Sequence, residues 1–210
     1  MRGLIYKEVA VFYKCMDKKM LGMAAAFSLL LLYSAGIYGG LMASVMLAMT
    51  IGAQNVISYV SDDKAHWKWY EMAMPVSSFH VVASKYISVI CTLGFGIAGS
   101  LLFNLISSVC FQAFDGMVWG LSVFAAVFIP LFWTGLCLPL TYWFGVQSAQ
   151  ALGLFFVIPV FYMVKYFEDG AGISLMTGAL SPYILTAGTA AVVLFALSLA
   201  VSTAGYARRK

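Results

Sequence analysis

The side chains able to do chemistry crowd into two polar segments. The longer, Ser61 to Tyr86, holds Asp62, Asp63, Lys64, Glu71, Lys85 and both histidines, His66 and His80. The shorter, Arg2 to Lys19, holds Lys7, Lys14 and Lys18. An intramembrane enzyme would need a Gly-x-Ser-x-Gly elbow, a His-Glu-x-x-His zinc pair or paired glutamates in an apolar stretch, and the chain has none of these. The histidines lack a carboxylate-rich shell and read as solvated loop residues. Cys15, Cys91, Cys110 and Cys137 lie far apart and read as packing residues, not as disulfides or metal ligands. No Gly-Lys dipeptide occurs, so there is no phosphate-cradling Walker A loop. The chemistry that remains is recognition and mechanical contact.

Composition says what must position these groups. Of 210 residues, 63% are apolar and 10% charged, with 12 basic and 8 acidic side chains, and the mean hydropathy is +0.94. Soluble domains run near half apolar and a quarter charged. So few charges cannot cover a globule in water. A soluble enzyme, a disordered tail and a nucleic-acid binder are excluded. This is a chain for a lipid bilayer.

Charge-free runs divide it. There are 42 such positions between Lys19 and Asp62, 29 between Lys85 and Asp115, 49 between Asp115 and Lys165, and 38 between Asp169 and Arg208. About 20 helical residues cross a hydrocarbon core. The expectation is an all-α single transmembrane domain over 1–210 with six spans, at 20–36, 40–60, 86–110, 118–142, 148–165 and 183–206. Tight reversals are expected at Ser34–Gly40 and Tyr142–Ser148. Residues 170–182 read as a loop, and Pro130, Pro139 and Pro159 would kink helices. With an inward N-terminus, eleven of the twelve basic residues fall on the cytoplasmic side, leaving Lys165 outside. Both termini, including the tail 207–210, are therefore expected in the cytoplasm. The N-terminal charged region is too long for a cleavable signal.

Segment 2–19 reads as an interfacial amphipathic helix. Ile5, Val9, Phe12, Tyr13, Met16 and Met20 recur at helical spacing, with Lys7, Lys14 and Lys18 on another face reaching toward headgroups. In segment 61–85, Ser61 or Asp62 is expected to cap a short helix, with Asp62 and Asp63 in its first turn. Trp67, Tyr70, Glu71 and Met74 then share one face, and Pro75 breaks the helix. Ser77 or Ser78 restarts one that leads through Lys85 and Tyr86 into the third span. A short aromatic helix held off the bilayer suits a groove on a partner; equally, Trp67, Trp69 and Tyr70 suit an interfacial belt.

The run Asp62-Asp63-Lys64, Trp67, Tyr70, Met74-Pro75-Val76-Ser77, Val82 and Ser84-Lys85-Tyr86 resembles the intracellular loop of type-2 ABC-exporter permeases, small six-helix bacterial chains. Met74 stands where that family has Leu, and Ser78 where it has Arg. The resemblance implies a permease subunit in the bacterial plasma membrane. ATP and Mg would sit on a separate ABC ATPase subunit, with no cofactor in this chain. It further implies a second permease copy or paralogue, and a coupling helix over 62–80 that sits in an ATPase cleft and rocks the permeases between inward- and outward-open states. Asp62, Asp63, Lys64, Trp67, Tyr70, Glu71, Met74, Pro75, Ser77, Lys85 and Tyr86 are the expected coupling residues.

No ionisable side chain is expected deep in a span, which argues against ion-coupled transport. Gln54, Asn55, Asn104, Gln112, Thr141, Gln147 and Gln150 offer packing bonds, and Gly36/Gly40, Gly96/Ser100 and Ala149/Gly153 offer small-residue contacts. An apolar pathway rich in Phe and Met suits a hydrophobic or amphipathic cargo. Related permeases export amphipathic peptides such as phenol-soluble modulins or act on lantibiotics. The alternatives are a substrate-binding membrane subunit of an uptake transporter, or an ATPase-independent immunity or structural protein.

Overall fold

The computed structural model describes residues 2–15, 18–34, 36–73, 76–112, 114–145 and 180–208. Among these every element is helical: α1 (Arg2–Cys15), α2 (Lys18–Ser34), a 3₁₀ turn (Gly36–Tyr38), α3 (Gly39–Lys64), α4 (Trp67–Ala73), α5 (Ser78–Phe111), α6 (Gly116–Phe144) and α7 (Leu180–Arg208). Four of them, α3, α5, α6 and residues Leu185–Arg208 of α7, are long and apolar enough to cross a membrane. They answer the expected spans at 40–60, 86–110, 118–142 and 183–206. The expected span at 20–36 corresponds to α2, whose 17 residues reach only about 25 Å at 1.5 Å per residue. The expected span at 148–165, with Pro159, Ala149, Gly153, Gln147 and Gln150, lies outside the described residues, as do Met16, Met74, Pro75 and Lys165.

Helices α3 and α5 run antiparallel along matched stripes of small and polar residues. On α3 these are Gly40, Ser44, Ala48, Asn55 and Tyr59; on α5 they are Lys85, Thr92, Gly96, Ser100 and Asn104, all buried. In lipid, apolar burial does not distinguish one helix face from another, so packing and hydrogen bonds must select the contact face. Asn55 Nδ2 donates to Thr92 Oγ1 at 3.3 Å. Farther along, Ser100 Oγ donates to Ser44 Oγ at 3.0 Å and Ser122 Oγ of α6 donates to Asn104 Oδ1 at 3.1 Å. The outward faces carry Ile90, Phe95, Leu102, Leu105 and Val109, exposed as a bilayer solvent requires.

Glycine permits the closest approaches. A Cβ on Gly40 would lie 3.0 Å from Asn104 Cα and 2.7 Å from its Oδ1, and a backbone atom cannot step aside. Gly40→Leu is therefore expected to destabilise the bundle by about 2 kcal/mol or more, read as a lower unfolding temperature in detergent. Pro130 cannot bond the Ala126 carbonyl within α6, and Gly96 of α5 approaches that oxygen, where a Cβ would stand 3.4 Å away. The helix runs on through both Pro130 and Pro139.

The turns follow local chemistry. Gly36 has φ +58° in the first reversal, and Gly145 has φ +92° where α6 ends, its N–H donating to Thr141 O at 3.0 Å. Asp115 caps α6, accepting from Met117 N at 2.9 Å.

Helices α6 and α7 pack in parallel. Gly188 meets Phe124, Leu194 and Phe195 meet Gly135, and Gly205 meets Trp143, while Trp143 Nε1 donates to Val201 O at 3.1 Å. Tyr86 ties α5 to α7 by hydrogen bonds with Ser198 (2.6 Å) and Ser202 (2.9 Å).

Candidate coupling site

One end of the bundle gathers α1, the end of α3, α4, the start of α5 and the ends of α6 and α7. Its centre is a closed ring of alternating charge. Lys7 Nζ stands 2.6 Å from Asp62 Oδ1 and 3.1 Å from Glu8 Oε1. Lys85 Nζ stands 2.7 Å from Asp62 Oδ2 and 3.4 Å from Glu8 Oε1. Glu8 is 2% exposed. The four charges cancel, as buried ions must if their desolvation is to be offset. Two aromatic rings add to the cation side: Lys7 Nζ lies 4.6 Å from the Trp67 ring centre and Lys85 Nζ 5.0 Å from that of Tyr59.

This geometry corrects several expectations. Asp62, Asp63 and Lys64 do not open α4; they form the last turn of α3. Charge does not end that helix, because two lysines neutralise Asp62. The break falls instead at Ala65–His66, where His66 has φ +51° and its N–H donates to Asp63 O at 3.0 Å. Lys7 does not reach toward headgroups but points into the ring. The buried face of α1 is Leu4 and Glu8, while Val9, Tyr13 and Lys14 are exposed and Ile5 and Phe12 are half-buried. Asp62 and Lys85 are ions on membrane-length helices, but both stand at the α4 end, Asp62 in the last turn of α3 and Lys85 two turns into α5. Lys18 opens α2.

The single face expected for α4 is split. Trp67 and Glu71 turn inward, with Glu71 6% exposed, whereas Trp69 is 71% and Tyr70 63% exposed. Tyr70 stacks on Trp67 with ring centres 5.8 Å apart. Ser77 stands at the N-terminal boundary of α5, where a restart is expected, but its Oγ meets His80 Nδ1 and caps no backbone N–H. Both histidines are exposed.

Beside the ring lies a cavity of about 110 Å³ walled by Tyr59, Trp67, Glu71, Lys85, Tyr142 and Tyr206. Sequence reasoning missed Glu8, Tyr59, Tyr142 and Tyr206. Tyr59 sits one turn before Asp62 on the same helical face, a signal that was available; the convergence of Tyr142 and Tyr206 depends on parallel packing, which no local pattern encodes. Glu71 accepts a long hydrogen bond from Tyr206 OH (3.4 Å). Burial raises its carboxyl above the ordinary value of 4.5, against the pull of Lys85 and Lys7. A raised value favours the protonated folded form. The stabilisation is complete below pH 4.5 and is lost as pH rises through the higher folded value. Glu71→Gln should flatten that part of the stability–pH profile and match or exceed the parent in unfolding temperature at neutral pH.

A family model described as ABC-2 family transporter protein matches residues 3–207. The chain belongs to this family. No curated protein and no solved structure matches it. As an ABC-2 protein it is a multi-pass membrane permease and a non-enzymatic subunit, of a kind that generally works with an ABC ATPase. Within such a permease the charge ring does not catalyse; it fastens α1 to α3 and α5 beside the α4 helix.

Proposed function

We propose that the chain is the permease subunit of an ATP-driven exporter in a bacterial plasma membrane. It would move a hydrophobic or amphipathic cargo, best read as a peptide, by alternating access. Helix α4 is the coupling element, pressed by a separate ATPase that binds ATP and Mg, and a second copy or a paralogue completes the pathway. The observation that carries this reading is α4 itself, a seven-residue helix anchored inward by Trp67 and Glu71 and presenting Trp69 and Tyr70 outward.

Six crossings with both termini in the cytoplasm fit the parallel packing of α6 and α7, since parallel neighbours need a connection that returns across the bundle. The excess of lysine and arginine at the α4 end favours that end as cytoplasmic. ATP acts through this contact only if its binding energy differs between the two permease states. The test is purification after co-expression with the neighbouring genes. A copurifying ABC ATPase, and ATP-dependent loss of cargo peptide from loaded cells, are expected. Retention of peptide despite a bound, active ATPase would contradict the export direction.

A further inference from the structure

The four-membered ring of Lys7, Asp62, Lys85 and Glu8 is electrically complete in itself, and Glu71 is a buried carboxylate beside it that belongs to none of its ion pairs. Among the basic side chains that the structure describes, none stands within ion-pair distance of it. It lines a cavity that also receives Asp62, Asp63 and a single lysine, so the lining is net acidic. A second observation is independent of that charge. Tyr59 lines the same cavity, is 5% exposed, and its hydroxyl has no partner; the Tyr142 hydroxyl is likewise buried and unpartnered. Phenol oxygens accept as well as donate, and aromatic faces attract cations. Carboxylate, phenol oxygens and rings around one space are together a receptor for a positive group with several N–H donors.

We propose that this cavity binds one organic cation, a guanidinium or primary ammonium group, with Glu71 as its counter-ion and Tyr59 and Tyr142 as acceptors. The cation is either a free amine or a basic side chain of the ATPase; only the second source rests on the coupling reading. Binding competes with the proton that burial favours on Glu71. Occupancy therefore rises with pH, against a background set by Lys85 of α5, Lys7 and Glu8 of α1, Asp62 of α3 and Tyr206 of α7.

The full-length permease in lipid nanodiscs is titrated with agmatine, with n-butanol as the uncharged control. A rise in unfolding temperature of about 3 °C, larger at pH 8 than at pH 6 and absent in Glu71→Gln, assigns the site to a free cation. No rise with agmatine, but roughly tenfold weaker ATPase association in Glu71→Gln at an undiminished unfolding temperature, assigns it to the partner's side chain. Both measurements unchanged overturn the proposal, leaving Glu71 to a proton or to Lys85. If no ATPase copurifies with the parent protein, the coupling reading fails separately and the agmatine titration alone decides.

Discussion

Lys85→Met is expected to be the most damaging single substitution in the bundle, lowering stability by about 3–5 kcal/mol, the cost of leaving a buried charge without its partner. The lysine joins three elements at once. It closes the ring through Asp62 of α3 and Glu8 of α1, and its own helix is α5. Its loss opens the ring and leaves Asp62 and Glu8 to share Lys7, and Glu71 nearby loses the pull of Lys85 as well. Methionine keeps the stem's packing, so the loss isolates the charge. Thermal unfolding in detergent measures it, and Lys85→Met combined with Asp62→Asn should cost less than the two single changes added together, because the residues share one network. A loss under about 1 kcal/mol would mean that water reaches the ring and screens it.

That ring shows where sequence legibility ends. The stripes that zip α3 to α5 are written plainly at spacings of four and seven: Gly40, Ser44, Ala48, Asn55 and Tyr59 against Thr92, Gly96, Ser100 and Asn104. Small and polar residues recurring on one helical face mark the protein side in lipid, and the same register carries Asp62 and Lys85 to the shared end. Four spans were legible because charge-free length is a strong signal. The boundaries are less so, since a charge by itself does not mark where a helix ends. Asp62 and Lys85 each continue one, because the opposite charge arrives from another element.

The orientation of α1 shows the same limit. Its apolar periodicity points to Ile5, Val9 and Phe12, yet Glu8 and Lys7 are drawn inward by partners 55 or more residues away. Periodicity measures the preference of a face for oil over water; it carries no information about a distant ion of opposite sign. For α4 the spacing of Trp67, Tyr70 and Glu71 is helical, as observed, but Tyr70 and Glu71 are neighbours in sequence and point about 100° apart around the axis, so a contact centred on Trp67 and Glu71 leaves Tyr70 outside it.

The split face of α4 decides the second large effect. Trp69→Ala with Tyr70→Ala should abolish ATPase association while leaving membrane insertion intact. Both rings are mostly exposed, and α4 is not among the membrane-length helices, so truncation removes little from the fold. Exposed tryptophan and tyrosine are the residue types that dominate protein interfaces, at roughly 2 kcal/mol or more each when buried by a partner. Two such losses correspond to about a hundredfold or greater weakening even when they overlap. Trp67→Ala is the control and should behave differently. Its ring faces Lys7, so its removal lowers stability first and association only as a consequence. Quantitative copurification across the three proteins separates the effects. If the double variant retains its ATPase, the two rings face headgroups, and force must enter the bundle elsewhere than through α4.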